Sequence, residues 1–233
     1  MIHLVTSENR GRYARALAEM HRLRREIFVD QKGWKLPVRE DGGEYDQYDT
    51  ADTLYFLALD RDGSIEVSAR CHPTARGSIL ADHFPHLVDD DERPVAEPGV
   101  WEFSRYFSHG EAAGPKGFGR RAELRLAILE AAVDFGISRM VGMTDTFFYD
   151  PFARSGWNVR VLGLPAAYDE GEAVAFEVTT TDHDLHQMQE RTAIYERQLT
   201  LSGPAFEDRA AAAFVGQPPM PPLRQAAGQR RRA

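Results

Sequence analysis

The first thirty residues carry apolar side chains at spacings of three and four, which is the period of one face of a helix. These side chains are Tyr13, Leu17, Met20, Leu23 and Ile27. Ser7 precedes them, at a position where its hydroxyl could cap the first backbone N–H groups. The pattern predicts an amphipathic helix from residue 8 to about residue 30, ended by Gly33-Trp34.

The segments that follow are shorter and rich in branched and aromatic residues, as strands are. Residues 53–59 and 65–70 flank the turn sequence Asp60-Arg61-Asp62-Gly63, which predicts a hairpin. Residues 83–99 contain several prolines and acids and are predicted to form a loop with one short turn of helix. A further strand is predicted over residues 100–107.

The second half of the chain mixes helical and strand patterns. One face of a helix that begins near Arg120 is traced by Leu124, Ala127, Ile128, Ala131 and Phe135. After it we predict a strand at 140–144, a short helix at 147–154, strands at 159–162 and 173–179, and a last helix at 184–198. This order of elements favours an α/β fold: a three-layer sandwich with a central mixed sheet and helices on both faces.

Composition is that of an ordinary folded protein. The chain has 233 residues, 42% of them hydrophobic, a formal net charge of -8 and a single cysteine, Cys71. The length suits one domain, predicted over residues 1–215, and the proline-rich, basic residues 216–233 are predicted to be a disordered tail. We expect a cytoplasmic protein with neither a signal peptide nor a membrane span. The negative charge argues against nucleic acid as a partner.

The sequence Trp101-Glu102-Phe103-Ser104-Arg105-Tyr106 places a carboxylate and a guanidinium inside an apolar run, where unpaired charges are costly to bury. In a regular strand Glu102 and Arg105 point to opposite faces. If both belong to one pocket, a β-bulge must lie between them and shift the register. The alternatives are a structural ion pair or two charges at the rim of a strand end.

Four segments together resemble the acyl-homoserine-lactone synthases, which make autoinducers for quorum sensing. They are Leu23-Arg24-Arg25-Glu26-Ile27-Phe28 with Gly33-Trp34, Glu44-Tyr45-Asp46-Gln47-Tyr48-Asp49, Ala69-Arg70-Cys71-His72-Pro73-Thr74, and the hexapeptide at 101–106. The resemblance implies a fold like that of the N-acetyltransferases and a reaction that joins S-adenosyl-L-methionine to an acyl thioester. Acylation of the methionine amine is followed by lactonisation, which releases methylthioadenosine. The chain departs from the family pattern at Val67, where Gly is usual, and at Tyr106, where Phe is common.

Eight positions that the family holds nearly fixed have the matching residue type in this chain: Arg24, Phe28, Trp34, Asp46, Asp49, Arg70, Glu102 and Arg105. The resemblance implies that all of these except Glu102, together with Phe103, bind S-adenosyl-L-methionine. Carboxylates suit its amine and sulfonium, a guanidinium suits its carboxylate, and aromatic rings suit its adenine or cationic sulfur. Glu102 is the candidate base that takes a proton from the amine. We expect partial burial beside Trp101, or a bridging water, to support that role.

The remaining candidate residues concern the acyl donor. The predicted acyl pocket consists of Met143, Thr144, Phe147, Phe152 and Trp157, which would suit an ordinary core equally well. Arg120, Arg121 and Arg154 are the candidate contacts for the donor, with a solvated helix face as the alternative. The donor is either an acyl carrier protein or acyl-coenzyme A, and the residues leave that choice open.

Other kinds of chemistry have weaker support in the sequence. Cys71 could suggest a covalent acyl-enzyme, but an amine attacks a thioester without an enzyme nucleophile, and a lone Cys is commonly a buried apolar residue. The eight His residues show no metal-ligand spacing. We therefore expect no metal and no cofactor, with S-adenosyl-L-methionine as a substrate. Two other hypotheses stay open: a different CoA-dependent N-acyltransferase, and a non-catalytic ligand-binding module on the same fold.

Overall fold

A computed structural model of the chain describes residues 1–60, 62–114, 118–169 and 171–200. The described residues form one mixed sheet whose strands cross it in the order β6-β8-β5-β4-β3-β2-β1-β9, with β7 pairing to β8. The strands are β1 (Ile2–Val5), β2 (Leu54–Leu59), β3 (Ile65–Pro73), β4 (Val100–Ser108), β5 (Arg139–Asp145), β6 (Val159–Val161), β7 (Ala166–Tyr168), β8 (Gly171–Thr179) and β9 (Leu199–Thr200). Two pairs are parallel, β1 with β9 and β4 with β5, and the other pairs are antiparallel.

The helices lie between these strands along the chain. They are α1 (Ala14–Arg24), α2 (Ile79–His83), α3 (Phe118–Phe135), α4 (Thr146–Ala153) and α5 (Asp182–Thr192). A 3₁₀ turn, Arg10–Tyr13, leads into α1, and a π-helical segment, Arg25–Gln31, continues it. Segments of π-helix are rare and occur frequently at functional sites.

Successive residues of β2 show how the layers form. Phe56 packs in a core with Ile128 of α3, whereas Tyr55 and Leu57 on the other face pack with Leu23 of α1. Because neighbouring side chains of a strand point to opposite faces, α1 and α3 must cover opposite sides of the sheet. The predicted three-layer α/β sandwich is confirmed.

Most of the predicted elements are present, with differences at the ends of helices. The prediction that Ser7 caps the first helix is wrong, because the chain turns as a 3₁₀ segment before α1 and Tyr13 is the residue that precedes α1. The last helix ends at Thr192 rather than 198, because Ala193 has a left-handed backbone with φ of 55°. Beyond it Leu199–Thr200 form β9 beside β1. The tail predicted at 216–233 lies outside the described residues.

Strands β4 and β5 separate part-way along their length. Their pairing runs only to Glu102 and Val141, although both strands continue well past these residues. Gly142 follows at the point where pairing stops, and a Cβ there would lie 2.8 Å from the Phe103 carbonyl oxygen. The two strands are therefore close at Gly142, and in the described residues β4 and β5 do not pair with each other beyond it.

Candidate active site

The bulge that the hexapeptide required is present in β4. Ser104 pairs with Arg70 of β3, and Phe107 pairs with Ser68, so β4 carries one more residue than β3 over this stretch. Arg105 lies in the bulge with φ of 52°, which is rare for a residue with a side chain. In this position the Arg105 side chain contacts Asp46, an acid that Arg70 also binds. A bulge is therefore present, as expected if both charges serve one face, but the register shifts between Ser104 and Phe107, at Arg105 itself and not before it.

Six charged side chains form a buried network on this face of the sheet. They are Arg24, Glu44, Asp46, Asp49, Arg70 and Arg105. Their side chains are between 0% and 9% exposed. With three guanidinium groups and three carboxylates the network has no net charge, which satisfies the requirement that buried charges be paired.

The innermost part of the network joins α1 to the acidic loop. Arg24 donates two hydrogen bonds to Asp49, at 2.8 and 2.9 Å, and its Nε donates to Glu44 at 2.5 Å. Asp49 also accepts from the backbone N–H of Asp46 and from the hydroxyl of Tyr55, both at 2.9 Å. This fork-to-carboxylate geometry fixes both planar groups, so Arg24 and Asp49 act as a rigid support.

The outer part of the network contains the side chains nearest to solvent. Arg70 binds Asp46 through two nitrogens, at 2.5 and 2.9 Å, and its Nε donates to the Ser104 hydroxyl at 3.0 Å. Arg105 donates to Asp46 at 2.8 Å and to Glu44 at 3.0 Å. Asp46 and Arg105 are the most exposed members, at 6% and 9%. A ligand would therefore meet Asp46 and Arg105 before the other charges.

Electrostatics within the network favour the charged forms of its acids. Burial alone would raise the pKa of Asp49, but Arg70 and Arg24 outweigh it and hold that pKa below its usual range. Burial is likewise outweighed for Glu44, chiefly by Arg105 and Arg24, so the pKa of Glu44 is lowered. The carboxylates therefore remain ionised at neutral pH.

The predicted aromatic residues lie at the edge of this network. Phe28 belongs to the π-helical segment that follows α1, and its ring stacks on Trp34 with centroids 5.1 Å apart. The Arg105 guanidinium carbon is 5.8 Å from the centre of the Phe28 ring. The Lys32 ammonium nitrogen lies 4.9 Å from the centre of the Trp34 ring. The structure thus places the two rings beside the exposed end of the charge network.

Glu102 lies on β4, directly opposite His72 of β3, and is 1% exposed. One carboxylate oxygen accepts the backbone N–H of Ile79 at 2.7 Å, and the other accepts that of Leu80 at 2.9 Å. These two donors are the first residues of α2. Glu102 therefore fixes the start of α2 over this face of the sheet, and its burial exceeds the partial burial predicted from the sequence.

The structure separates the residues of the predicted acyl pocket. Phe152 and Trp157 pack with Phe103, at ring distances of 6.4 and 5.1 Å, in the core beneath α3. Met143 packs in a different cluster, and Phe147 of α4 is 70% exposed. Thr144 is half-buried on β5. Only Phe152 and Trp157 therefore form one apolar cluster, and they share it with Phe103 instead of with the other predicted pocket residues.

Comparison with known proteins assigns the family. The model of the family described as autoinducer synthase matches residues 8–188. The isovaleryl-homoserine lactone synthase of Bradyrhizobium diazoefficiens is 32% identical over 217 residues, which span 93% of this chain and 96% of that protein. The chain belongs to the autoinducer synthase family. An acyl-homoserine-lactone synthase of Pseudomonas aeruginosa is 33% identical over 71% of this chain and 80% of its own length.

Solved structures agree with this assignment. The CoA-dependent acyl-homoserine lactone synthase BjaI, solved with SAM and isopentyl-CoA, is 31% identical with a TM-score of 0.78, over 88% of this chain and 94% of BjaI. The synthase LasI is 26% identical with a TM-score of 0.67, over 80% and 95% of the two chains. An N-acetyltransferase-type structure from Lactobacillus plantarum, 18% identical with a TM-score of 0.50, shares the fold alone. This autoinducer synthase is therefore an acyltransferase with an N-acetyltransferase-like fold.

The three arginines predicted to contact the acyl donor differ in the partners that their guanidinium groups already have. Arg120 is paired with Glu66 at 2.6 Å and with Glu123 at 2.8 Å. Arg121 donates to backbone carbonyl oxygens in the segment that precedes α3. Arg154 is 82% exposed and contacts Asp150 at 3.4 Å. Of the three, Arg154 has the guanidinium most available to a ligand.

Several other groups bear on the chemistry of the synthase. Cys71 is buried in the core, and burial raises the pKa of its thiol, which keeps it protonated and unreactive. In the described part of the chain, no group of three or more His, Cys, Asp and Glu side chains could hold a metal ion. No helix of the described residues is long and apolar enough to span a membrane.

Two parts of the site were missed by the sequence-based prediction. Glu44 is as deeply buried as Arg24 and joins Arg24 to Arg105. Its backbone carbonyl oxygen contacts Nδ1 of His21 at 2.9 Å, and burial, with a smaller effect of Arg24, lowers the pKa of that imidazole to about 4. The spacing Glu44-x-Asp46-x-x-Asp49 was the available signal, because three acids in so short a loop need several cations if they are buried. His72 is the second missed residue.

Proposed function

We propose that this autoinducer synthase transfers an acyl group from acyl-coenzyme A to the amine of S-adenosyl-L-methionine, and that the product lactonises to an N-acyl-L-homoserine lactone and methylthioadenosine. The observation that carries the proposal is the buried six-charge network, whose Arg105 lies three residues after Glu102 on β4 and past the point where β4 and β5 stop pairing. Two similar solved structures, BjaI and MesI, are CoA-dependent acyl-homoserine lactone synthases, which supports coenzyme A over a carrier protein as the carrier of the acyl group. A cytoplasmic location is part of the proposal, because both substrates are made there.

The methionine substrate is proposed to bind at the exposed end of the network. Arg105 would bind its carboxylate and Asp46 its ammonium or sulfonium group, because these two members are closest to solvent. Phe28 and Trp34 would cover the cationic sulfur or the adenine ring. Arg24, Asp49 and Arg70 would support these contacts from behind, since their polar atoms already bind one another.

The acyl thioester is proposed to enter the gap between β4 and β5. Backbone groups of β4 and β5 beyond their last shared pair can bind the amide groups of a pantetheine arm, much as an added strand would. The aromatic cluster of Phe103, Phe152 and Trp157 adjoins this gap and would hold the acyl chain. Thr144 would lie near the thioester end, and Arg154 is the guanidinium free to meet the donor's phosphates.

The chemical step needs a neutral amine, because an ammonium ion has no electron pair with which to attack the thioester. An ordinary α-amino group has a pKa of about 7.7 to 8.0, so a base must take a proton before or during acylation. Glu102 is proposed to accept that proton, directly or through a water. Attack then forms the amide bond and breaks the carbon–sulfur bond. The electron pair leaves on the coenzyme A thiolate, which takes the second proton from the nitrogen, and Glu102 releases the first proton to solvent.

The test is a direct assay with purified protein, S-adenosyl-L-methionine and a panel of acyl donors. Free thiol release reports acylation and methylthioadenosine release reports lactonisation. We expect turnover with at least one acyl-coenzyme A, higher than with the same acyl group on a carrier protein, and a loss of about 10²-fold or more in Glu102→Gln. Faster turnover with the carrier protein would contradict the assignment of the donor.

A further inference from the structure

The His72 imidazole is a buried polar group that the proposed reaction has not yet used. It is 2% exposed, and neither ring nitrogen has a hydrogen-bond partner among the described residues. Nε2 lies 3.3 Å from a carboxylate oxygen of Glu102, the residue paired with His72 across β3 and β4. Burying a polar group without a partner is costly and rare. An imidazole held in this state beside a candidate base therefore calls for an explanation.

The His72 ring is packed between an aromatic side chain and the Glu102 carboxylate. Tyr48 stacks on the imidazole with centroids 4.9 Å apart. The Tyr48 hydroxyl donates to Asp82 of α2 at 2.9 Å, and the Arg70 guanidinium carbon is 5.9 Å from the Tyr48 ring. Glu102 is therefore the charged side chain whose contact with the His72 ring nitrogens is shown by distance.

We infer that His72 holds the proton that Glu102 takes from the attacking amine. The inference rests on the proposed function and deepens its acid–base step. Nε2 of His72 has no hydrogen-bond donor among the described residues and lies 3.3 Å from a Glu102 carboxylate oxygen, so its lone pair can accept the proton during acylation. His72 acts through Glu102 and is a positioning residue in this scheme.

The proton and electron balance is complete with the groups present. The amine nitrogen loses its proton to Glu102, and the proton passes along the 3.3 Å contact to Nε2 of His72. The nitrogen forms a bond to the acyl carbon, and the carbon–sulfur bond breaks. As the amide forms, the nitrogen loses its second proton to the coenzyme A thiolate, which leaves with the electron pair, and His72 returns the first proton to solvent by way of Glu102.

The first experiment requires no turnover. Imidazole ¹⁵N resonances are recorded against pH for the wild type and for Glu102→Gln. We expect the Nε2 resonance of His72 and its pH dependence to change in Glu102→Gln, because the nearest charge has been removed. A His72 resonance that is identical in the two proteins would overturn the inference. This readout stands even if no lactone is made, in which case it is the proposed function that fails.

The second experiment uses kinetics. His72→Gln keeps a polar side chain of similar length that does not titrate, and His86→Gln applies the same change to an exposed histidine of the neighbouring segment. We expect His72→Gln to lower kcat for acylation by about 10²-fold, to change the acid side of the pH–rate profile, and to leave the Kd of S-adenosyl-L-methionine unaltered. His86→Gln should match the wild type. Wild-type kcat with a wild-type pH profile in His72→Gln would show that His72 is only a packed core residue.

Discussion

We expect the free energy of unfolding to be very sensitive to Asp49→Asn, which replaces one carboxylate oxygen of the buried charge network with an amide nitrogen. Asp49→Asn keeps the shape of the side chain and removes one of three negative charges. The carboxylate accepts two hydrogen bonds from Arg24, a third from Arg70 at 3.0 Å, and one each from Asp46 and Tyr55. An amide would present an NH₂ group to a guanidinium and leave one positive charge uncompensated in the interior.

The expected magnitude follows from that uncompensated charge. Breaking a buried ion pair by removing one partner costs about 3–5 kcal/mol, a large fraction of the roughly 5–15 kcal/mol by which domains are stable. For a domain of this size 1 kcal/mol corresponds to about 2–4 °C in Tm, so Asp49→Asn should lower Tm by roughly 6–20 °C. Asp150→Asn is the matched control, because Asp150 is 75% exposed and its contact with Arg154 is an exposed surface pair. That control should change the free energy of unfolding by less than about 1 kcal/mol.

The assay is reversible urea unfolding at pH 7, repeated at lower pH. The folded-state pKa of Asp49 lies below its unfolded value of about 3.9, so the stability it contributes is complete above that value. The contribution is lost as pH falls through the folded pKa, and the difference between wild type and Asp49→Asn should shrink in strong acid. A loss of less than about 1 kcal/mol at pH 7, equal to that of Asp150→Asn, would refute the reasoning.

Three further predictions concern single positions. Gly142→Ala should lower the free energy of unfolding by about 1–3 kcal/mol in urea titrations, because its Cβ would lie 2.8 Å from the Phe103 carbonyl oxygen, whereas Gly11→Ala, with no atom within 4 Å, should cost far less. Cys71→Ala should retain the wild-type kcat, and the native protein should resist alkylation until it is unfolded, since the buried thiol stays protonated; rapid labelling of the native protein would contradict this. Arg105→Lys keeps the charge but loses the planar fork, so KM for S-adenosyl-L-methionine should rise about tenfold or more, with KM for the acyl donor unchanged.

The regular helices and strands were predictable because the apolar residues of each element follow a single period, that of a helix or that of a strand. The hairpin of β2 and β3 and the face of α3 with Leu124 and Phe135 both follow their sequence patterns. Strands β1 and β9 were missed because they have few residues and β9 depends on a parallel neighbour almost two hundred positions away. The π-helical segment was missed for another reason: apolar spacing predicts a helix but does not distinguish its hydrogen-bond pattern.

The candidate site, like the fold, was predictable in part. The bulge at Arg105 followed from physical reasoning about one strand, since two costly charges could share a face only if the register shifted. The partners of those charges did not follow, because the sequence offered Arg24, Arg70 and Arg105 as separate ligands for one substrate. Glu44 converts them into a closed network, and a pairing of that kind depends on how the acidic loop folds back over the sheet. The apolar side chains of α4 and β5 were equally ambiguous, because core packing and acyl binding select the same residue types.

The central claim is that this chain makes an N-acyl-L-homoserine lactone. Mass spectrometry of organic extracts from cells that express the wild type, beside cells that express Glu102→Gln, tests it most directly. We expect the homoserine-lactone fragment ion in the wild-type extract, with a parent mass that identifies the acyl group, and little or none of it in the Glu102→Gln extract. Absence of the ion from the wild-type extract, together with no lactone from any acyl-coenzyme A or carrier-protein donor supplied in vitro, would contradict the account.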